Sequence, residues 1–228
     1  MNARTTIWKL RCWLGVGIGA SVVMAASPAI AGKAYVALAS YKPDNVHRGT
    51  PSLAPYLRRV AVLPLACGSD TVALEAGRDA LQPVLEAELI RTKNFEIVKV
   101  TPERLRGRTG RTSWTGEEAL SANFFVSLRE ETDCDAVLFC QLTLFRAYAP
   151  LAVGWRMRLV DAHTRQTLWA VDEVFDAAEP EVVRGARRFD RETGDGWAIL
   201  NSPRRFGAYS ASAVLATLPC PSQKNRLK

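Results

Sequence analysis

The chain has 228 residues, of which 48% are hydrophobic, and a formal net charge of +7. That size and apolar content allow a buried core without disulfide bonds, which excludes the class of small disulfide-stapled domains. The basic excess is mild and by itself indicates only solubility.

Residues 1–31 predict an export signal. Arg4, Lys9 and Arg11 give a positive leader, an uncharged run follows from Trp13 to Ala26, and small residues end the segment at Ala31. This order is typical of a cleavable secretory signal. The run is shorter than the ~20 residues of a membrane span, so an uncleaved anchor is the weaker alternative. We expect a mature chain without a transmembrane span, either soluble in the periplasm or peripheral to the outer membrane, and no nucleic-acid partner.

The rest of the chain divides into three parts. Residues 32–57 are rich in proline and small polar residues without periodicity, which predicts an extended arm. Residues 58–220 predict a single α/β domain, and residues 221–228 a basic tail. The domain contains Cys67, Cys134, Cys140 and Cys220, and both disulfides and buried thiols remain open. Cys134 and Cys140 are not expected to pair, because a strand between them holds them ~20 Å apart.

Strand and helix patterns alternate through the domain. Strands are predicted at 60–65, 95–100, 136–145, 154–160 and 166–175, the first of them buried on both faces. Helices are predicted at 74–92, from Thr101-Pro102, from the capping box of Thr115 and Glu118 to about residue 128, and at 206–216, and the basic stretch 184–191 also suits a helix. The order β-α-β-α-α-β-β-β-α predicts an α/β fold with a mixed sheet and helices on both faces, a three-layer sandwich.

No catalytic, cofactor-binding or metal site is predicted. His47 lies in the arm and His163 in a tight hairpin, and no G-x-S-x-G motif is present. The segment 107–112 lacks the lysine of a phosphate-binding loop. Asp172 and Glu173 are neighbours on a strand, so they point to opposite faces and form no carboxylate pair.

Two segments are candidates for binding. Arginines cluster in one loop, which we interpret as a possible anion-binding loop or as an ordinary exposed basic loop; they are Arg104, Arg106, Arg108 and Arg111. The connection before the 154–160 strand is apolar and aromatic where polar residues are usual. We predict a partner-binding surface at Tyr148, Pro150, Leu151 and Trp155, the alternative being that these residues cover the core.

Three motifs, in this order, resemble those of a group of envelope proteins. Residues 58–65 read RRVAVLPL, residues 133–139 read DCDAVLF, and residues 159–169 read LVDAHTRQTLW. The group includes the curli-secretion channel family, the lipoprotein activators of penicillin-binding proteins and the amino-terminal domain of the Tol-Pal β-propeller protein. The resemblance implies a three-layer α/β domain that acts by protein–protein contact in the Gram-negative envelope, with no catalytic residues.

This chain departs from the group in two ways. It has no lipidation cysteine, and the connection 147–153 is too short for the transmembrane hairpin of a channel. We therefore predict an exported, non-catalytic adaptor or accessory protein of the cell envelope, with an envelope protein as partner. The sequence makes no prediction of its oligomeric state. The alternatives are a soluble periplasmic binder of peptidoglycan or anionic lipid, and an enzyme whose site is assembled from distant residues.

Overall fold

The structure, a computed structural model, describes residues 41–69, 71–121, 123–193 and 199–221. The predicted signal, residues 32–40 of the predicted arm and residues 222–228 of the predicted tail lie outside these ranges. The strands are β1 (Val46–Arg48), β2 (Arg59–Val62), β3 (Ala66–Cys67), β4 (Glu96–Lys99), β5 (Ala136–Arg146), β6 (Ala152–Asp161) and β7 (Thr167–Asp176). The helices are α1 (Val72–Thr92), α2 (Pro102–Thr109), α3 (Phe124–Thr132), α4 (Pro180–Thr193) and α5 (Pro203–Leu215), with a 3-10 turn at Ile199–Asn201.

The strands form one open, mixed sheet in the order β1-β7-β6-β5-β2-β4, with β3 paired to β5. Strands β5, β2 and β4 are parallel, because helices connect β2 to β4 and β4 to β5. Short connections follow β5 and β6, so β5, β6 and β7 pair antiparallel, and β1 adds to β7 in the same sense. The predicted α/β fold with a mixed sheet is confirmed.

Helices cover both faces of the sheet. The first face, as we call it, packs against α1, α4 and α5, and the second face packs against α2 and α3. Strand β2 shows the alternation: Val60 and Val62 enter the core of the first face, while Ala61 enters that of the second. All three side chains are buried, which confirms the prediction of a strand covered on both faces. Among the helices that the structure describes, none combines the length and the hydropathy that a membrane span needs.

Helix α3 begins later than predicted. The capping box of Thr115 and Glu118 does not start a helix, and α3 starts at Phe124. Glu118 instead pairs with Arg111 at 2.8 Å, and the Gly116 carbonyl accepts a hydrogen bond from Arg158 of β6 at 2.5 Å. These long-range contacts hold residues 114–121 as an irregular segment across the second face, so tertiary contacts decide its conformation rather than the local capping pattern.

The described part of the predicted arm, residues 41–57, packs on the domain. Strand β1 pairs with β7, and the Tyr56 hydroxyl donates a hydrogen bond to Asp161. The side chain of Leu53 is buried, and its backbone N–H donates to the Cys220 carbonyl at 3.1 Å. The segment between β1 and β2 therefore meets the far end of the described chain.

The two cysteines of the β5 region lie on opposite faces of the sheet. Cys134 is in the second-face core and Cys140 in the first-face core, and both are free thiols. Burial raises the pKa of the Cys140 thiol to about 12, so this thiol stays protonated and unreactive at neutral pH.

Candidate functional site

The predicted partner surface between β5 and β6 divides into an exposed and a buried part. Tyr148 is 75% exposed and Pro150 is exposed, whereas Leu151 is only 2% exposed and Trp155 is fully buried. The Trp155 indole donates a hydrogen bond to Ser210 Oγ of α5 at 2.8 Å. Leu151 and Trp155 therefore pack in the first-face core, and of the four predicted residues Tyr148 and Pro150 alone offer a surface.

The predicted arginine loop is largely helix α2, and carboxylates neutralise much of it. Arg104 and Arg108 both lie near Glu131 of α3, at 3.7 and 3.5 Å. Arg111 pairs with Glu118, and its guanidinium lies 4.6 Å from the centre of the Trp114 ring. Arg106 is exposed. Three of these four arginines hold neighbouring segments together, so less positive charge is available here to bind an anion. The anion-binding role of this region stays a prediction.

The second face is covered over only part of its length. Phe124 and Phe125 of α3 pack on Phe139 of β5, near the end of the sheet where β5 begins. At the other end the side chains of Leu144 and Val174 remain 36% and 45% exposed. Two apolar residues, one on each strand that flanks β6, thus face solvent where α2 and α3 do not reach.

Strand register places these two residues in one row. Leu144 of β5 pairs with Gly154 of β6, and Gly154 pairs with Val174 of β7. A side chain at Gly154 would collide with Thr143 Oγ1 and would lie 3.0 Å from Leu144 Cβ, so glycine is required there. Because Gly154 has no side chain, Leu144 and Val174 stand on either side of a gap in this apolar row.

A cross-strand ion pair borders this row on the side of the hairpin. Arg146 pairs with Asp176 at 2.7 Å, and Arg146 also donates to the Pro150 carbonyl. The side chains pass over Ala152, which is paired with both residues in register. We call the surface made by Leu144, Val174, Arg146 and Asp176, with Tyr148 at the tip of the hairpin, the hairpin face.

A cavity of about 270 Å³ lies further along the same face, toward β1. Its polar lining comes from three strands, from Asn45 just before β1 and from the irregular segment. The other polar residues are Arg156 and Arg158 of β6, Asp172 of β7, His47 of β1 and Glu117. Phe139 and Ala170 supply apolar surface. This is where the chain brings together titratable groups that lie up to 125 residues apart in sequence.

The two arginines of this cavity have different partners. Arg156 is held by two carboxylates, Asp172 at 2.6 Å and Glu117 at 2.8 Å. Asp172 and its hydrogen bond are the main reason why the pKa of Arg156 is raised. Within the described ranges, the acceptors of Arg158 are both neutral, namely Thr167 Oγ1 at 2.8 Å and the Gly116 carbonyl.

A second, wider cleft of about 600 Å³ lies beside the carboxyl ends of the parallel strands β2 and β4. Its charged side chains satisfy one another: Lys99 pairs with Glu86 at 2.5 Å, and Arg78 pairs with Asp79 at 3.0 Å. The Gln82 carbonyl oxygen accepts from the Leu65 N–H at 2.8 Å. Each charged side chain among the described residues that line this cleft thus has an oppositely charged partner.

Within residues 41–221, leaving aside the positions that the structure does not describe, no group of three His, Cys, Asp or Glu side chains is placed to hold a metal ion. No serine, threonine or cysteine is among the described residues that line the 270 Å³ cavity. The arrangement there can bind charge, and its carboxylates are already engaged by Arg156.

Sequence reasoning missed the residues that form the exposed surface and the cavity. In residues 155–159 the sequence alternates Trp155, Met157 and Leu159 with Arg156 and Arg158, a pattern that indicates a strand with one wet face and a buried indole. No local pattern shows that Asp172 and His47 share the face of the two arginines. Leu144 and Val174 carried no local signal, because their exposure depends on where α2 and α3 end.

No family model matches this chain, and no curated protein matches it. Several solved structures do. Lipoprotein GNA1162 from Neisseria meningitidis is 17% identical with a TM-score of 0.37, over 52% of this chain and 79% of that one. The LpoB C-terminal domain from Salmonella enterica is 15% identical with a TM-score of 0.33, over 52% and 82%. The PelC dodecamer from Paraburkholderia phytofirmans gives 13% and 0.34, over 72% and 93%.

The identities and TM-scores are low, so the likeness says nothing about what this chain binds.

Proposed function

We propose that this protein is an exported, non-catalytic accessory protein of the bacterial cell envelope, and that it acts by binding a protein partner through the hairpin face. The observation that carries the proposal is the row of Leu144 and Val174, exposed on a sheet face that α2 and α3 leave uncovered. Apolar side chains that are fixed in a sheet lose little conformational entropy on binding, so they suit an interface.

The composition of the surface supports a protein partner. An apolar centre with a polar rim is the usual anatomy of a protein–protein interface. Here Arg146 and Asp176 supply the rim, and Tyr148 supplies an aromatic side chain of the kind that contributes most to binding energy. The non-catalytic part of the proposal is supported by the engaged carboxylates of the cavity and by its lining, which includes no described hydroxyl or thiol nucleophile.

The test is co-purification of partners from envelope extract with Val174→Lys, measured by quantitative mass spectrometry. A matched control exists in Val126→Lys on α3, since Val126 is 40% exposed and Val174 is 45% exposed. We expect Val174→Lys to reduce recovery of a specific protein at least about tenfold, as expected for loss of an interface centre, and Val126→Lys to retain it. Both variants should melt like the wild type.

Equal recovery with the two variants would contradict the proposal. Retention of the chain on purified peptidoglycan or on anionic vesicles, with no protein partner lost by Val174→Lys, would instead support the ligand-binding alternative. Amino-terminal sequencing and cell fractionation test the export part separately. A product that keeps residues 13–31 and stays in the membrane would contradict it.

A further inference from the structure

Arg158 is the charged group of the 270 Å³ cavity whose partners do not balance it. Its side chain is half-buried, and its hydrogen bonds run to Thr167 Oγ1 and to the Gly116 carbonyl, which are both neutral. Among the described residues no carboxylate forms an ion pair with it. A guanidinium has five N–H donors in a planar fork, so several donors remain after these two bonds.

The two hydrogen bonds also fix the position of the guanidinium. Thr167 belongs to β7 and Gly116 to the irregular segment, so Arg158 is held from two sides at 2.8 and 2.5 Å. A fixed guanidinium loses little freedom when it binds an anion, and it can offer two parallel donors to a carboxylate. The cavity therefore contains a preorganised donor for an anion.

The charges around Arg158 decide which anion fits. Arg156 is already paired with Asp172 and Glu117, so with Arg158 these side chains carry two positive and two negative formal charges. A dianion such as phosphate brings twice the negative charge of a monocarboxylate beside the two carboxylates, and is therefore repelled more strongly. Phe139 and Ala170 give the cavity an apolar part, which suits a ligand with an aliphatic body.

We propose that this cavity is a binding site for a small monocarboxylate, which Arg158 holds by its guanidinium while Phe139 and Ala170 contact its aliphatic part. The carboxylate can belong to a free aliphatic acid or to the carboxyl terminus of a peptide, because both present the same group. The site uses none of the residues of the hairpin face, so it stands independently of the proposed function.

The experiment is a titration of the full chain with butyrate at constant ionic strength, followed by the NMR signal of the Arg158 Nε–H. Butyramide, which has the same shape without the charge, and inorganic phosphate are the reference ligands. We expect saturable binding of butyrate, and dissociation constants at least about tenfold weaker for butyramide and for phosphate. Equal shifts from butyrate and butyramide, or equal affinity for phosphate, would overturn the proposal.

Two variants test the residues. Arg158→Gln removes the charge, and Ala170→Leu fills the cavity from β7, where Ala170 is paired with Arg158 in register. Both should weaken butyrate binding at least about tenfold, with the remaining cavity signals as readout, while Arg184→Gln on α4 should bind like the wild type. If Arg158→Gln fails to fold, Ala170→Leu decides, and retained binding in that variant would overturn the proposal.

The same titration separates the two sources of the carboxylate. Acetyl-trialanine with a free carboxyl terminus is compared with butyrate and with its own amide. A free peptide that binds at least about tenfold tighter than butyrate would identify a peptide terminus as the ligand class. Equal affinities would identify free acids, and binding of the amide as tight as that of the free peptide would overturn the carboxylate site.

Discussion

Leu151→Ala should lower the stability of the protein and Tyr148→Ala should leave it almost unchanged, although the two residues lie three positions apart. Leu151 is 2% exposed and belongs to the first-face core. Removing a buried leucine side chain costs about 2–5 kcal/mol of unfolding free energy, because apolar contact is lost and a cavity remains. For a chain of this size each kcal/mol lowers the melting temperature by about 2–4 °C, so Leu151→Ala should melt roughly 4–20 °C lower.

Tyr148→Ala is the matched comparison, since 75% of this side chain is exposed. An exposed substitution away from special features changes stability by about 0.5 kcal/mol or less. Urea denaturation and calorimetry of the two single variants measure the difference directly. A Leu151→Ala protein that melts within about 2 °C of the wild type, well inside the smallest cavity cost, would refute the assignment of Leu151 to the core and would return it to the predicted partner surface.

Two further predictions concern stability. Gly77→Ala should destabilise the protein by about 1–3 kcal/mol, because the new Cβ would lie 2.5 Å from Phe145 Cγ and 2.8 Å from Leu142 Cδ2. At Gly107 on α2 a new Cβ would have no atom within 4 Å, so Gly107→Ala should stabilise the protein by about 0.5–1 kcal/mol. Urea midpoints that rank the two variants in the reverse order would contradict this packing. Burial raises the pKa of Glu88, and Arg91 opposes this shift. The protonated carboxyl is therefore favoured in the folded state: its contribution to stability is fully present below the unfolded pKa and is lost as pH rises through the folded pKa. Glu88→Gln should therefore be more stable than the wild type at pH 7, and the gain should vanish at low pH; a gain that persists or grows in acid would show that the effect is not ionisation.

Most of the sheet could be predicted from the sequence, for physical reasons. Residues 136–140 of β5 are a continuous apolar run because they are buried on both faces, and β6 alternates because Arg156 and Arg158 lie on the less covered face. Strand β1 was missed, since three residues in a proline-rich segment give no periodicity and β1 is held by its pairing with β7. The predicted start of α3 was wrong because Glu118 pairs with Arg111 rather than with the backbone N–H of Thr115.

The candidate site was predicted only in part. Tyr148 is exposed, whereas Leu151 and Trp155 are core residues, and the Trp155 indole donates to Ser210 of α5. The cavity depends on the register that places Ala170 between Arg158 and His47. Register is set by the whole sheet and not by any local pattern, so sequence reasoning had no access to it.

The contact between the segment after β1 and the end of the chain has a consequence for the order of folding. Arg48 donates to the Thr217 carbonyl at 3.1 Å, 169 positions away, and Leu53 donates to the Cys220 carbonyl. During synthesis residues 46–53 emerge early, but their acceptors are the last described residues to be made. These two hydrogen bonds can therefore form only after Cys220 has been made, and a chain that stops before Thr217 would lack both of them.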